Sequence, residues 1–270
     1  MKHVKVARPK VPRPKVVRPI RRPYPMAVAA VREFCAPRGL REPRDVDVPL
    51  LAMEKGAVVV PGPCGRGEGH LLRGRRRSLI VIREDLYGTL KGTFVAGHEL
   101  THLLCHHALD ELPICTGEAR ATPGTRRIEG EASDGSSELL MPEAWFAPAV
   151  TGCATAPTLA DLEAMAAHYR VPLEAAALRA LLWVNEPCAL VVAEHGRVAW
   201  CAYSEGWSVY VHRKAPLPEG TGAARVAGER VRGAAWGEQT RGAVEVTEHA
   251  VVSREAGDAT VVAWLVQRRA

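Results

Sequence analysis

The sequence predicts an α+β fold: helices with a small edge sheet, then a helical hairpin, then a C-terminal antiparallel β-rich region. Three observations carry this. "PMAVAAVREFC" (25–35) and "TLADLEAMAAHYRVPLEAAALRALLW" (158–183) place apolar residues at helical spacing. "GAVVVPG" (56–62) and "RSLIVIRE" (77–84) are short β-branched runs bounded by Gly, Pro or charge, which reads as strand. The last eighty residues run through "CALVVAE", "RVAWCAYS", "WSVYVHR", "GAVEVTEHAVVS" and "ATVVAWLVQRR", all read as antiparallel strands. At 270 residues the chain can bury a real core without disulfide staples.

In chain order, four regions are expected. Residues 1–25 read as a disordered, basic, Pro-rich tail. They hold nine Lys or Arg, no acid and six Pro, with Arg-Pro recurring at 8–9, 13–14 and 18–19. Proline forbids a helix there and like charges extend the chain. Residues 26–150 read as the first folded domain. A helix opens it and stops at Gly39, and the two strands follow. The connection "GPCGRGEGHLLRGRRR" (62–77) is expected to be an exposed loop, so that "RSLIVIRE" forms the edge strand. Next comes a helix from about Thr93, then one capped by Thr125 that must stop before Pro142. Residues 151–186 form a helical, helix-turn-helix-like segment joined at Val171-Pro172. Its second helix offers only Arg179 to a nucleic acid, which favours a structural hairpin over a DNA reader. Residues 187–270 are β-rich, with His195-Gly196 as a turn.

The net charge of +6 belongs to the tail, because without residues 1–25 the chain carries 27 basic and 30 acidic residues. Nucleic-acid binding through residues 1–25 is therefore a candidate activity, working through phosphate contacts. No run is long enough for a bilayer span, and the charged start lacks the apolar stretch of a secretory signal, so a cytoplasmic protein without membrane contact is expected. Seven scattered cysteines with no CxxC pair argue against a disulfide framework or a zinc ribbon; most are expected to be buried thiols.

The chemistry concentrates in "AGHELTHLLCHH" (96–107). His98 and His102 lie one helical turn apart, about 6 Å along the axis, so both imidazoles can reach one tetrahedral zinc. Glu99 points off that axis and can act as general base toward a zinc-activated water. A catalytic zinc needs a third protein ligand. The helix "TRRIEGEASDGSSELLM" (125–141) offers Glu129 and Glu131, about 200° apart around its axis, so only one can face the metal. Glu129 is the better candidate, because Ser133 one turn on can hydrogen-bond a ligand histidine. His106, a turn beyond His102, reads either as a solvated helix-end cation or as a transition-state donor.

"HELTH" together with "EGEASDGSSELLMP" (129–142) resembles the ImmA/IrrE-type zinc metallopeptidases, over roughly residues 26–185. In that family the second helix reads E-x-E-A-N-x-F-A-x-E-L-L-M-P. Here Ser133 stands for the Asn and Gly135 for the aromatic, and Asp134 is the nearest residue to supply the missing hydrogen bond. The resemblance implies a zincin-like metallopeptidase core over 26–150. It also implies one zinc on His98, His102 and Glu129, with Glu99 as general base. The implied substrate is a specific protein, a helix-turn-helix transcriptional repressor. The alternative from another class is a non-catalytic zincin-like scaffold that binds nucleic acid or a partner protein through the tail.

Overall fold

The computed structural model describes residues 19–106, 123–218, 221, 231–232, 244–255 and 258–269. Helix α1 (Pro25–Cys35) begins with Pro at its first position and runs into a 3₁₀ turn ended by Gly39 at φ 64°, a left-handed stop that favours glycine. Helix α2 (Val48–Glu54), not anticipated from sequence, is capped by Asp47, whose carboxylate accepts from Leu50 N.

Three strands follow: β1 (Ala57–Gly62), β2 (Gly69–Leu72) and β3 (Ser78–Arg83), in the order β1-β3-β2. β1 pairs parallel to β3, and β2 pairs antiparallel to it. This corrects two expectations. The Gly/Arg-rich connection is not all loop, because its "GHLL" is strand β2. "RSLIVIR" is then the central strand, and β2 and β1 are the edges. Pro61 sits on edge strand β1, where its missing N–H is tolerated.

Helix α3 (Leu90–Cys105) starts three residues before Thr93, because Thr89 is the cap and accepts from Gly92 N. Helix α4 (Pro123–Leu140) likewise starts before Thr125 and ends, as expected, short of Pro142. After it come α5 (Glu143–Thr151), which the sequence reading missed, then α6 (Leu159–Tyr169) and α7 (Leu173–Ala180). The hairpin turns at Arg170, φ 55°. Arg179 is buried, donating to Glu138 at 2.5 Å and to Met141 O at 3.1 Å. It is not available to a nucleic acid, and the hairpin is structural.

Strands β4 (Cys188–Glu194), β5 (Arg197–Tyr203), β6 (Val231–Arg232), β7 (Val244–Glu255) and β8 (Asp258–Arg269) form a second sheet in the order β5-β4-β8-β7-β6. Among the described residues all its strand pairings are antiparallel. His195 and Gly196 both take positive φ, 49° and 71°, as a two-residue hairpin turn of the I′ type requires. β4 is apolar on both faces because both are covered. Cys188, Leu190 and Val192 join the core of the helices, while Ala189, Val191 and Ala193 join a second core. "WSVYVHR" is no strand. Trp207, Val209 and Val211 are buried in alternation, but Ser208 bonds the Gln267 side chain and Val211 the Tyr203 hydroxyl, so no ladder forms. Alternation reported burial there, not pairing.

Residues 1–18 of the expected tail lie outside the described residues, but residues 19–25 belong to the fold. Ile20 N donates to Tyr203 O at 2.6 Å, Arg21 pairs with Asp134 at 2.6 Å, and Tyr24 N donates to Asp134 at 2.7 Å. Residues 19–24 thus strap the second sheet to α4, and residue 25 is already helix. Of the described cysteines only Cys64 and Cys188 are buried; four are half-buried, fewer than the sequence suggested. No described helix is long and apolar enough to cross a membrane.

α3 and α4 cross closely, and glycine is the reason. A Cβ on Gly135 would fall 2.2 Å from Thr101 Cγ2, and one on Gly97 2.7 Å from Ser136 Oγ. Thr101 is a buried β-branched side chain tied to Gly97 O at 2.9 Å, so it cannot swing aside. Gly135→Ala should therefore lower stability by roughly 1–3 kcal/mol through overpacking, despite a helix-propensity gain of about 1 kcal/mol. Urea denaturation of the two proteins checks this; a more stable variant would refute the packing account.

Candidate metal centre

The crossing brings α4's carboxylates to α3's histidines. His98 Nε2 and His102 Nε2 lie 3.1 Å apart, and Glu129 places Oε2 3.4 Å from the first and Oε1 3.7 Å from the second. One ligand atom from each lies within 4.8 Å of the others. Metal–nitrogen bonds of 2.0–2.1 Å in a tetrahedron imply ligand–ligand edges of about 3.3 Å. The three side chains therefore stand at close to the spacing a zinc-sized ion requires, and their donor set of two imidazoles and a carboxylate suits one. The expected triad is brought together.

The site is dry. The side chains of His98, His102 and Glu129 are 10 %, 1 % and 3 % exposed, and Glu99 is 1 % exposed. Burial, then the neighbouring His98, His106 and Arg73, push the His102 imidazolium from its usual value down to about 2. The ring is neutral, as a metal ligand must be.

Around the triad, three sequence expectations fare differently. Ser133 does what was expected, its Oγ standing 3.3 Å from His98 Nδ1 while donating to Glu129 O at 2.9 Å. Asp134 is engaged elsewhere: its carboxylate accepts from the Arg21 guanidinium and from Tyr24 N. His106 is neither a solvated cation nor a donor toward a substrate. It is buried at 7 % and bonds the far side of His102, Nδ1 to Nδ1 at 2.9 Å, with its Nε2 2.9 Å from Glu131 Oε2. Glu131, set aside in the sequence as facing elsewhere, thus serves the same histidine ladder from behind and also accepts from Arg127 at 2.8 Å. Burial raises its carboxyl, but the bonds from His106 and Arg127 outweigh this and hold it below its ordinary value. The missed signal was the i+4 repeat itself: three histidines on one face need a partner at each end.

Arg73, one of the loop arginines, caps the ladder's helix. Its Nη2 donates to His102 O at 3.0 Å and His106 O at 3.1 Å, placing charge at the C-terminal end of α3. Burial, then Glu131, raise the Cys105 thiol at the end of α3 to about 11. Cys115 and His107 lie outside the described residues. Edge strand β2 runs beside α3, with Gly69 making room for Val95 and Arg73 reaching the helix end.

These features define the class: a mixed α+β protein whose buried His-His-Glu group can hold a metal ion. Residues 52–181 match the Peptidase_M78 family, the IrrE N-terminal-like domain, so the chain carries a domain of the ImmA/IrrE type. A Mycobacterium tuberculosis transcriptional regulator has a similar fold, with a TM-score of 0.60 and 15 % identity over 88 % of this chain and 74 % of that one. No curated protein sequence matches significantly.

The neutral His102 has a consequence for stability. The unfolded chain binds a proton there below about pH 6.5, whereas the folded metal-free protein does not until about pH 2. Stability therefore rises with pH across that window and falls on acidification, by up to about 1.4 kcal/mol per pH unit for one proton. Denaturation of the metal-free protein from pH 7 to 4 should show this slope, and His102→Gln should flatten it. An unchanged slope would mean the ring titrates when folded.

Proposed function

We propose that the protein is a cytoplasmic, zinc-dependent regulatory endopeptidase that hydrolyses a peptide bond in one specific protein, a helix-turn-helix transcriptional repressor. The observation that carries this reading is the convergence of His98, His102 and Glu129 with Glu99 at the position beside the first ligand. The three would hold zinc in a zincin-like core spanning residues 26–150. Zinc bound there supplies Lewis acidity to a water and to the scissile carbonyl. Glu99 takes the water's proton on its carboxylate and delivers it to the leaving amine. Among the described residues strand β2 lies at the edge of its sheet and along α3, where an extended substrate segment would add by backbone pairing. Residues 1–18, with their Arg-Pro repeats, and the β-rich region from 187 onward would serve docking. The repressor as substrate is what the resemblance to the ImmA/IrrE-type metallopeptidases implies, and the family match supports that resemblance.

One observation favours a second reading. Glu99 is 1 % exposed, so the carboxylate assigned as general base is buried away from solvent. On that reading the chain is a non-catalytic zincin-like scaffold that meets nucleic acid or a partner through residues 1–25.

The two readings separate on Glu99→Gln. For the peptidase, new protein N-termini in a helix-turn-helix repressor should appear with wild type and fall by about 10²–10⁴ in rate with the variant, while zinc content stays equal. N-terminal peptide mapping of the host proteome, wild type against variant, reads both. Identical termini from the two proteins, with salt-sensitive DNA binding lost on deleting residues 1–18, would establish the scaffold instead.

A further inference from the structure

Resting on the metal reading above, the geometry points to His106 and Glu131 as positioning residues: they lock His102 in the tautomer that presents Nε2 to the metal. To bind through Nε2, His102 must carry its ring proton on Nδ1. That nitrogen lies 2.9 Å from His106 Nδ1, which can accept the proton only as a bare lone pair. His106 must then carry its own proton on Nε2, and Nε2 lies 2.9 Å from Glu131 Oε2. An ionised carboxylate only accepts, so it fits that tautomer and no other neutral one. With the proton on Nδ1 instead, the His106 Nε2 lone pair would face the carboxylate, and two acceptors would meet in a buried site. Arg127, donating to Oε1 at 2.8 Å, holds the carboxylate in place from the surface end.

The chain Arg127–Glu131–His106–His102 is thus a directional relay with each proton assigned, and its inner members are shielded from water. His106 is 7 % and Glu131 3 % exposed. A metal-binding imidazole whose other nitrogen is tied toward a carboxylate is fixed in orientation and is the better donor. Here a second histidine spans the distance between ligand and carboxylate, because α4 delivers Glu131 one helical turn beyond Glu129's partners. The other ligand, His98, has the Ser133 hydroxyl 3.3 Å from its Nδ1. Glu129 and Glu131 divide the labour of one helix: the first faces the metal, and the second sets the ligand's proton.

A plain structural tie between α3 and α4 would involve the same contacts, so the test reads something such a tie would not change. Zinc affinity of the full chain is measured by competition with a chromophoric chelator for wild type, Glu131→Leu and Glu131→Gln. Glu131→Leu should weaken zinc roughly ten- to hundredfold. Glu131→Gln, whose carbonyl still accepts from His106, should lose less than Glu131→Leu. In the zinc-loaded wild type, ¹⁵N spectra should show a through-hydrogen-bond coupling between the Nδ1 atoms of His102 and His106. Equal zinc affinity in all three, with only the melting temperature changed, overturns the relay, and so does absence of the coupling. Should Glu131→Leu not fold, the coupling and the Glu131→Gln affinity decide. Wild type that takes no zinc refutes the metal reading itself; wild type and Glu131→Leu binding zinc equally refutes only the relay.

Discussion

The close crossing of α3 and α4 is the constraint on which the rest depends. Two helices that carry metal ligands from different parts of a chain must approach until imidazole and carboxylate meet. Gly97 and Gly135 remove the side chains that would hold them apart, and Ser136 Oγ then reaches Phe94 O at 2.7 Å. Each helical glycine costs about 1 kcal/mol relative to Ala. The tertiary return is larger, because the crossing lets one helix supply Glu129 to the front of the histidine ladder and Glu131 to its back. Seen alone, "SDGSS" is a poor helix; packed on α3, its small residues are what the site requires.

The crossing is itself braced at both ends. At the C-terminal end of α4, Glu138 is buried between Arg179 of α7 and Arg32 of α1, the latter at 2.7 Å. A buried carboxylate held by two guanidiniums avoids the penalty of an isolated charge and fixes three helices relative to one another. Toward the middle of α4, Asp134 and Gly130 receive the strap of residues 19–24. Trp264 of β8, donating to Pro157 O at 2.9 Å, ties the second sheet to the helical hairpin through a shared core. The His98-His102-Glu129 group is therefore not an isolated cleft on a small domain. Its geometry rests on elements from residue 20 to residue 266.

Burial gives the site its chemical character. In a medium of low effective dielectric, charges and dipoles act strongly on one another, so the placement of each proton becomes a structural property. His102 stays neutral because burial and its neighbours penalise the charged ring, while Glu131 stays ionised because His106 and Arg127 repay its burial. The same burial that prepares the ligands also closes Glu99 from solvent. Hydrolysis at this centre would require the site to open to a substrate segment, whereas a metal with a structural role would need no opening.

Much was legible in the sequence because it is local. Helical spacing located α1, α3, α4, α6 and α7; the i, i+4 pair in "HELTH" and the Glu129–Ser133 spacing named the triad and a hydrogen-bond partner for it. The His195-Gly196 turn was also readable, since two positive φ angles favour such a pair. Besides the short helices α2 and α5, the misses are contacts across the chain. "GHLL" became a strand only because β3 was there to pair with it, while "WSVYVHR" stayed irregular for want of a ladder. Asp134 went to Arg21, and His106 found His102 and Glu131 rather than solvent. Residue type and periodicity determine which face an element buries and which side chains can do chemistry. What those side chains touch depends on how closely two helices approach, and that distance is set by packing between residues far apart in sequence, which no local pattern records.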